Sequence, residues 1–173
     1  MKASVFVGTS LDGFIARQNG ALDFLDAGGN EPHGYDEFVA SVDAHVIGRH
    51  TFDTVRGFGG WAYGPKKVYV LSSRPLPPVP PGANVEHLAG EPPAIVAQLD
   101  ARGVQHAYVD GGITIQRFLR AGLIQRLIVT RIPVLIGAGI PLFAQLPHDI
   151  PLRHVATHTY PSGLVQSEYE VAA

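Results

Sequence analysis

No cysteine occurs among the 173 residues, which excludes disulfides, thiolate catalysis and cysteine-based zinc sites. An excess of positive charge is missing too. The formal net charge is −2, so the basic footprint needed to hold nucleic acid is absent. No apolar run approaches the roughly 18–20 residues that cross a bilayer. The apolar part of MKASVFVGTSLDG is too short for a signal peptide. Charged residues are scarce at 16% against 46% hydrophobic, a globular composition. The expectation is one cytoplasmic domain over residues 1–173, with a core of its own and no nucleic-acid or membrane partner.

Two stretches are rich in loop formers, DAGGNEPHG (Asp26 to Gly34) and RPLPPVPPG (Arg74 to Gly82). The second, with its five prolines, can be neither helix nor central strand. Short strands are expected at Ala3–Val7, Ala44–Ile47, Lys67–Leu71, Asn84–Leu88, Ala107–Val109 and Leu127–Ile132. Helical segments fall between them, at Tyr35–Val42, Thr51–Val55 and Pro92–Arg102, and after Thr114, which is read as a cap. Leu152–His158 and Leu164–Val171 flank the turn Tyr160-Pro161-Ser162-Gly163. In the last strand Val165, Ser167, Tyr169 and Val171 alternate with Gln166, Glu168 and Glu170, which predicts one wet face. Strands alternating with helices and ending in a hairpin give a three-layer α/β fold, with a mostly parallel sheet and antiparallel strands at its end.

Three strand exits carry anion chemistry. At VIGRHTF, Gly48, Arg49, His50 and Thr51 open a helix with a cation where the macrodipole disfavours one. A bound anion explains it, and so does an ordinary cap with Arg49 paired to a carboxylate. Leu71, Ser72, Ser73 and Arg74 place two hydroxyls and a guanidinium after a buried strand. That suits a phosphate monoester, or a polar turn into the proline loop. In VDGGIT, Gly111, Gly112, Ile113 and Thr114 put bare backbone N–H groups at a helix start, or make a simple tight turn. Three such exits together point to a ligand with several anionic groups, such as a dinucleotide. Gly137-Ala138-Gly139 is not a Rossmann fingerprint, because Leu142 takes the third glycine position and Pro141 intervenes. His154 and His158 lie on a strand, about 13 Å apart, too far to share a metal. No metal is expected.

IGRHTFDTV, KKVYVLSSRP and YVDGGITIQRFL, in this order and spacing, resemble the dihydrofolate reductase superfamily along nearly the whole chain. SLDGFIA and PVLIGAGIPLF are similar to the branch of the reductase (C-terminal) domain of the bifunctional riboflavin-biosynthesis deaminase–reductase. The resemblance implies an eight-stranded sheet with helices on both faces and bound NADPH, with NADH the alternative. It assigns Gly48, Arg49, His50 and Thr51 to the pyrophosphate and adenosine-phosphate segment. Leu71, Ser72, Ser73 and Arg74 fall at the 2′-phosphate site, and Gly111, Gly112, Ile113 and Thr114 in the turn under the pyrophosphate. Ser10, Leu11, Asp12 and Gly13 match a mobile loop over the nicotinamide. Without cofactor, Arg49 is expected to be mobile or paired elsewhere.

The same resemblance implies hydride transfer to a small pterin- or pyrimidine-like heterocycle, or to a carbonyl or imine compound. A carboxylic acid supplies the proton, with Glu37, Asp36 and Asp23 as candidates; Asp36 and Glu37 also suit a first helical turn through the dipole alone. Folate itself fits poorly, because Lys66 stands where an Arg would clamp its glutamate tail. Phe14, Phe24, Phe38, Phe58 and Trp61 are candidates for an apolar pocket. The alternatives are a dinucleotide-binding protein without turnover, and a homodimeric assembly protein using PVLIGAGIPLF, a segment that also suits an internal crossover.

Overall fold

The computed structural model describes residues 1–173. Ten strands and four α-helices follow in the order β1 (Lys2–Ser10), β2 (Phe14–Ala16), α1 (Tyr35–Ala40), β3 (Ala44–Gly48), α2 (Arg49–Arg56), β4 (Lys67–Leu71), β5 (Val85–Leu88), α3 (Pro92–Ala101), β6 (His106–Asp110), α4 (Gly112–Arg120), β7 (Arg126–Ile132), β8 (Ile140–Pro141), β9 (Leu152–Thr159) and β10 (Val165–Val171). A 3-10 helix, Asp23–Gly28, precedes α1. Eight strands form one sheet in the order β5-β4-β3-β6-β1-β7-β10-β9. Its first six strands run parallel, and β10 and β9 are antiparallel.

The apolar runs place β1, β3 and β6 in the middle, since only a strand covered on both faces can be apolar throughout. Ile95 and Leu99 of α3, with Ile115 and Phe118 of α4, pack on Val5, Val46 and Val109. On the other face Phe38 of α1 meets Phe6, Tyr108 and Ile128, and Phe52 of α2 meets Ile47, Val68 and Val70. Helices therefore cover both faces. Pro92 and Pro93 sit in the first turn of α3, where their missing N–H groups cost nothing. Gly103 just beyond its end takes a positive φ. No regular element forms between Leu71 and Val85, as the prolines dictate.

Three local expectations change. Thr114 does not cap α4; the helix opens at Gly112 after Gly111, and Thr114 lies buried in its first turn. The Asp26–Gly34 loop begins inside the 3-10 helix, whose Phe24 and Gly28 turn inward. In β10 the wet face is inverted at its start: Gln166 is buried and Val165 exposed. The reason is a specific partner set, since Gln166 Nε2 donates to Thr130 Oγ1 at 3.0 Å and to His33 O at 2.9 Å. No peptide bond is cis.

One buried side chain is not satisfied. His45 of β3 is 1% exposed, and neither ring nitrogen has a hydrogen-bond partner. Its imidazole lies against Tyr63 at 4.6 Å and Tyr108 at 5.1 Å between ring centroids. Burial, with a smaller contribution from Lys66, pushes its pKa down to about 4. His106, two residues before Tyr108, is satisfied instead. Its Nδ1 faces Ser41 O at 2.9 Å and its Nε2 faces Ser4 Oγ at 2.8 Å. Because a carbonyl can only accept, Nδ1 carries the proton and Nε2 accepts from the hydroxyl.

Candidate active site

β3 and β6 are neighbours in register, Ile47 opposite Asp110, and each leads directly into a helix. The N-termini of α2 and α4 therefore emerge side by side. Neither has a side-chain cap, so their first N–H groups have no intrahelical partner. The approach is close and reciprocal. A Cβ on Gly48 would lie 2.7 Å from Thr114 Oγ1, and one on Gly111 would lie 2.5 Å from Thr51 Oγ1. Only glycine fits at either place, and Gly111 also has a φ of 98°. Gly111→Ala is thus expected to cost about 1–3 kcal/mol in urea denaturation. Gly122→Ala has a positive φ but open space, and serves as the control. Equal costs would show that the convergence of the two helices does not demand glycine.

Beside these termini lies a cavity of about 500 Å³, within the size range of small-molecule sites. Gly8 of β1, Gly48 of β3 and Asp110 of β6 all line it, so it lies toward the carboxyl ends of the central strands. The segment following β1 contributes Ile15, Ala16, Gly20, Leu22 and Leu25. That segment is held down by β8: β2 pairs with it, and Ile15 and Ile140 both sit over Gly112. Within residues 133–143 it is β8 that pairs with its own chain, while Leu135 and Phe143 remain exposed.

The cavity takes in most of the sequence-derived anion residues. Gly48, Arg49, His50, Thr51, Leu71, Gly111, Gly112, Ile113 and Thr114 line it. Arg49 is paired elsewhere. Its Nε donates to Asp53 Oδ2 at 2.9 Å and its Nη1 to Pro75 O at 3.0 Å. The bond to Pro75 ties the start of α2 to the loop carrying Ser72, Ser73 and Arg74. Those three lie beyond the lining, in a turn where Ser72 Oγ accepts from Arg74 N–H at 3.1 Å. Ser10, Asp12 and Gly13 do not line the cavity either. Ser10 Oγ accepts from the Phe14 N–H, and Asp12 accepts from the backbone of Ile136 and Gly137, at 3.3 and 2.8 Å. This loop stays outside the cavity, and the lining resumes two residues later, at Ile15.

None of the three carboxylates proposed as proton donors reaches the cavity. Burial of Phe38 fixes the register of the six-residue α1 and turns Asp36 and Glu37 to solvent. Asp23 is exposed and paired with Arg17 at 2.6 Å, a bond that holds its carboxyl below the usual range. The acid that lines the cavity is Asp110. Desolvation raises its pKa to about 6, against a hydrogen bond from Gly111 N–H at 2.8 Å that lowers it. Tyr35, Tyr63 and Tyr108 line the same cavity and feel its charge. Tyr108 donates to Phe6 O at 2.6 Å. Arg117, one turn along α4 from Thr114, also lines the cavity while paired to Glu91 at 3.1 Å. Neither residue is among the sequence-derived candidates; the signals for them are the place of Asp110 at the end of β6, just before Gly111-Gly112, and that of Arg117 three residues after Thr114. Of the five aromatics expected at a pocket, only Phe58 lines it. Phe24 and Phe38 are core, Trp61 packs on Phe52 and Tyr63, and Phe14 lies in β2. Lys66 is committed to Val39 O and Val42 O, at 2.8 and 2.7 Å.

This fold, with a cavity at the strand ends between two helix starts, is that of a dihydrofolate-reductase-like protein. Dihydrofolate reductase from Enterococcus faecalis, complexed with NADP(H), superposes with a TM-score of 0.68 at 15% identity, over 99% of this chain and 97% of that one. The chain belongs to the RibD C-terminal domain family, whose model matches residues 2–166. A Shewanella sp. PV-4 protein ascribed to riboflavin biosynthesis is 37% identical over the full length of both chains, with a TM-score of 0.91. The uncharacterized protein YwjB of Bacillus subtilis (strain 168) is 30% identical over 162 residues, 92% of each chain. Its fold is thus dihydrofolate-reductase-like, and its family is that of the RibD C-terminal domain.

Proposed function

We propose that this protein is a nicotinamide-dinucleotide-dependent reductase, preferring NADPH, that adds hydride and a proton across the C=N or C=O bond of a small heterocycle or carbonyl compound. The observation that carries this reading is the meeting of two uncapped helix N-termini beside a cavity-lining carboxyl of raised pKa. Reduced dinucleotide, when bound, supplies the hydride. The chain supplies the rest. Backbone N–H groups at the starts of α2 and α4 suit a pyrophosphate, and glycine at 48 and 111 lets the two helix starts converge on it. Arg49 and Arg117 flank the cavity and exchange their carboxylate partners for phosphate. Ser72, Ser73 and Arg74 suit a 2′-phosphate, since Arg74 bonds within its turn only through its backbone. Asp110 gives its proton to the nitrogen or oxygen beside the carbon that accepts hydride, and recovers it from solvent. Folate is disfavoured, because Lys66 is spent on the end of α1.

Titration with NADPH and NADH, followed through Trp61 and cofactor fluorescence, tests the reading. Arg49→Ala is expected to weaken both dinucleotides about tenfold, the loss of one charge-assisted pair. Arg74→Ala is expected to weaken NADPH and leave NADH unchanged. Absence of binding at millimolar concentration would refute the assignment. Binding without oxidation by any of a series of heterocycles and carbonyl compounds would leave a dinucleotide-binding protein.

A further inference from the structure

The two arginines that line the cavity are both engaged by carboxylates that do not line it. Arg49, in the first turn of α2, donates from Nε to Asp53 Oδ2 at 2.9 Å and from Nη1 to Pro75 O at 3.0 Å. Arg117 of α4 donates from Nη2 to Glu91 Oε2 at 3.1 Å. A guanidinium has two forked edges that hold a phosphate through paired bonds, Nε with Nη2 and Nη1 with Nη2. Asp53 spends a donor of the first edge of Arg49, and Pro75 one of the second. Glu91 takes the Nη2 of Arg117, which both edges share. Neither arginine has a complete fork free. The carboxylates are loosely held, with the side chains of Asp53 and Glu91 43% and 83% exposed. Arg56 Nη1 lies 3.8 Å from Asp53 Oδ1, so this carboxylate keeps a cation when Arg49 turns away. Glu91, once released, faces water.

We propose that Asp53 and Glu91 are internal competitors for the anion of this cavity: each occupies its arginine in place of a phosphate group and so lowers affinity for phosphorylated ligands. The inference rests on the reductase reading, in which that ligand is a dinucleotide. Exposed ion pairs are weak. A phosphate that also meets the free N–H groups of the helix starts therefore displaces them, and the affinity it gains is reduced by what the pairs were worth. A ligand held less tightly leaves faster, which suits an enzyme that must exchange its dinucleotide at every turnover. A positioning role would act in the opposite direction. A carboxylate that oriented its guanidinium toward the ligand would strengthen binding, and its removal would weaken it.

Calorimetric titration of the intact protein with inorganic pyrophosphate and with NADPH tests the proposal. Asp53→Asn and Glu91→Gln are each expected to tighten both probes about two- to fivefold, the worth of an exposed pair. Because the two pairs share no partner, the double variant should show the product of the single gains. Asp53→Glu keeps the charge and should bind as the wild type does. Asp26→Asn removes an exposed charge next to the lining residue Leu25 and touches neither arginine. It should tighten the probes less than either paired variant. Urea midpoints should match the wild type throughout, which guards against misfolding. Weaker binding by Asp53→Asn and Glu91→Gln would overturn the proposal and make the two carboxylates positioning groups. Gains no larger than that of Asp26→Asn would overturn it as well, leaving only the general effect of net charge. If neither probe binds the wild type or any variant, the reductase reading falls, and the competition with it.

Discussion

Asp110→Asn is expected to make the protein more stable and less active. Asparagine keeps an oxygen for the Gly111 N–H, which Asp110 now accepts at 2.8 Å. It removes the buried charge. The carboxyl has a pKa of about 6 here against 3.8 for a free aspartate. A group whose folded pKa is raised gives its full stability below the unfolded value and loses it as pH rises through the folded one. At about 1.4 kcal/mol per pKa unit, ionising Asp110 in the native state costs roughly 2–3 kcal/mol at neutral pH. The variant should regain most of that, read as a higher urea midpoint with unchanged slope. Its turnover, measured with an accepted heterocycle, should fall about 10²–10⁴-fold, the usual worth of a general acid. Wild-type kcat/KM should decline above pH 6 as the acid form is lost. An Asn variant with near-wild-type turnover would show that the proton comes from solvent. A variant of lower stability would show that the carboxylate is well solvated in the native state.

The pattern of gain and loss at Asp110 also explains what could be read from the sequence. Apolar runs bounded by glycine and proline gave the central strands, because parallel strands are buried on both faces and have no register to hide. The glycines at 48 and 111 were legible as strand exits suited to an anion, and the structure adds a second reason for them: each faces the threonine of the other helix's first turn. The proton donor was sought on α1, where Asp36 and Glu37 look suitable. Whether a helix presents such residues inward depends on which apolar residue its one buried face carries. Phe38 decides that only once β1 and β6 are in place beneath it. The position of Leu11–Gly13 outside the cavity follows likewise from Asp12 bonding to residues 136 and 137, far along the chain. Gln166 was placed on the wet face because alternation cannot foresee its bonds to Thr130 and His33.

His45 and Asp110 should give the protein opposite pH slopes of stability that partly cancel. His45 titrates at about 4 in the folded chain against 6.5 for the free side chain. A depressed folded pKa contributes stability that is present above the unfolded value and lost as pH falls toward the folded one. Acidification from pH 6.5 to 4 should therefore remove about 3 kcal/mol through His45, with His106 adding a loss of the same sign. Asp110 acts the other way, its share rising as pH falls from about 6 toward 4. The wild-type urea midpoint should be nearly flat between pH 4 and 6. His45→Leu should expose the slope of Asp110, becoming more stable on acidification. Asp110→Asn should expose the slope of His45, becoming less stable. At neutral pH His45→Leu should gain stability as well, since two buried ring nitrogens without partners disappear. Parallel pH profiles for all three proteins would show that neither group changes its proton affinity on folding. If the slopes separate, β3 and β6 carry two groups held against their preferred charge states, His45 opposite Tyr108 and Asp110 opposite Ile47. One of them lines the cavity, where a strained carboxyl can serve as an acid. The other lies against Tyr63 and Tyr108, and its unpaired nitrogens accompany the tilted packing of the two phenols that line the same cavity.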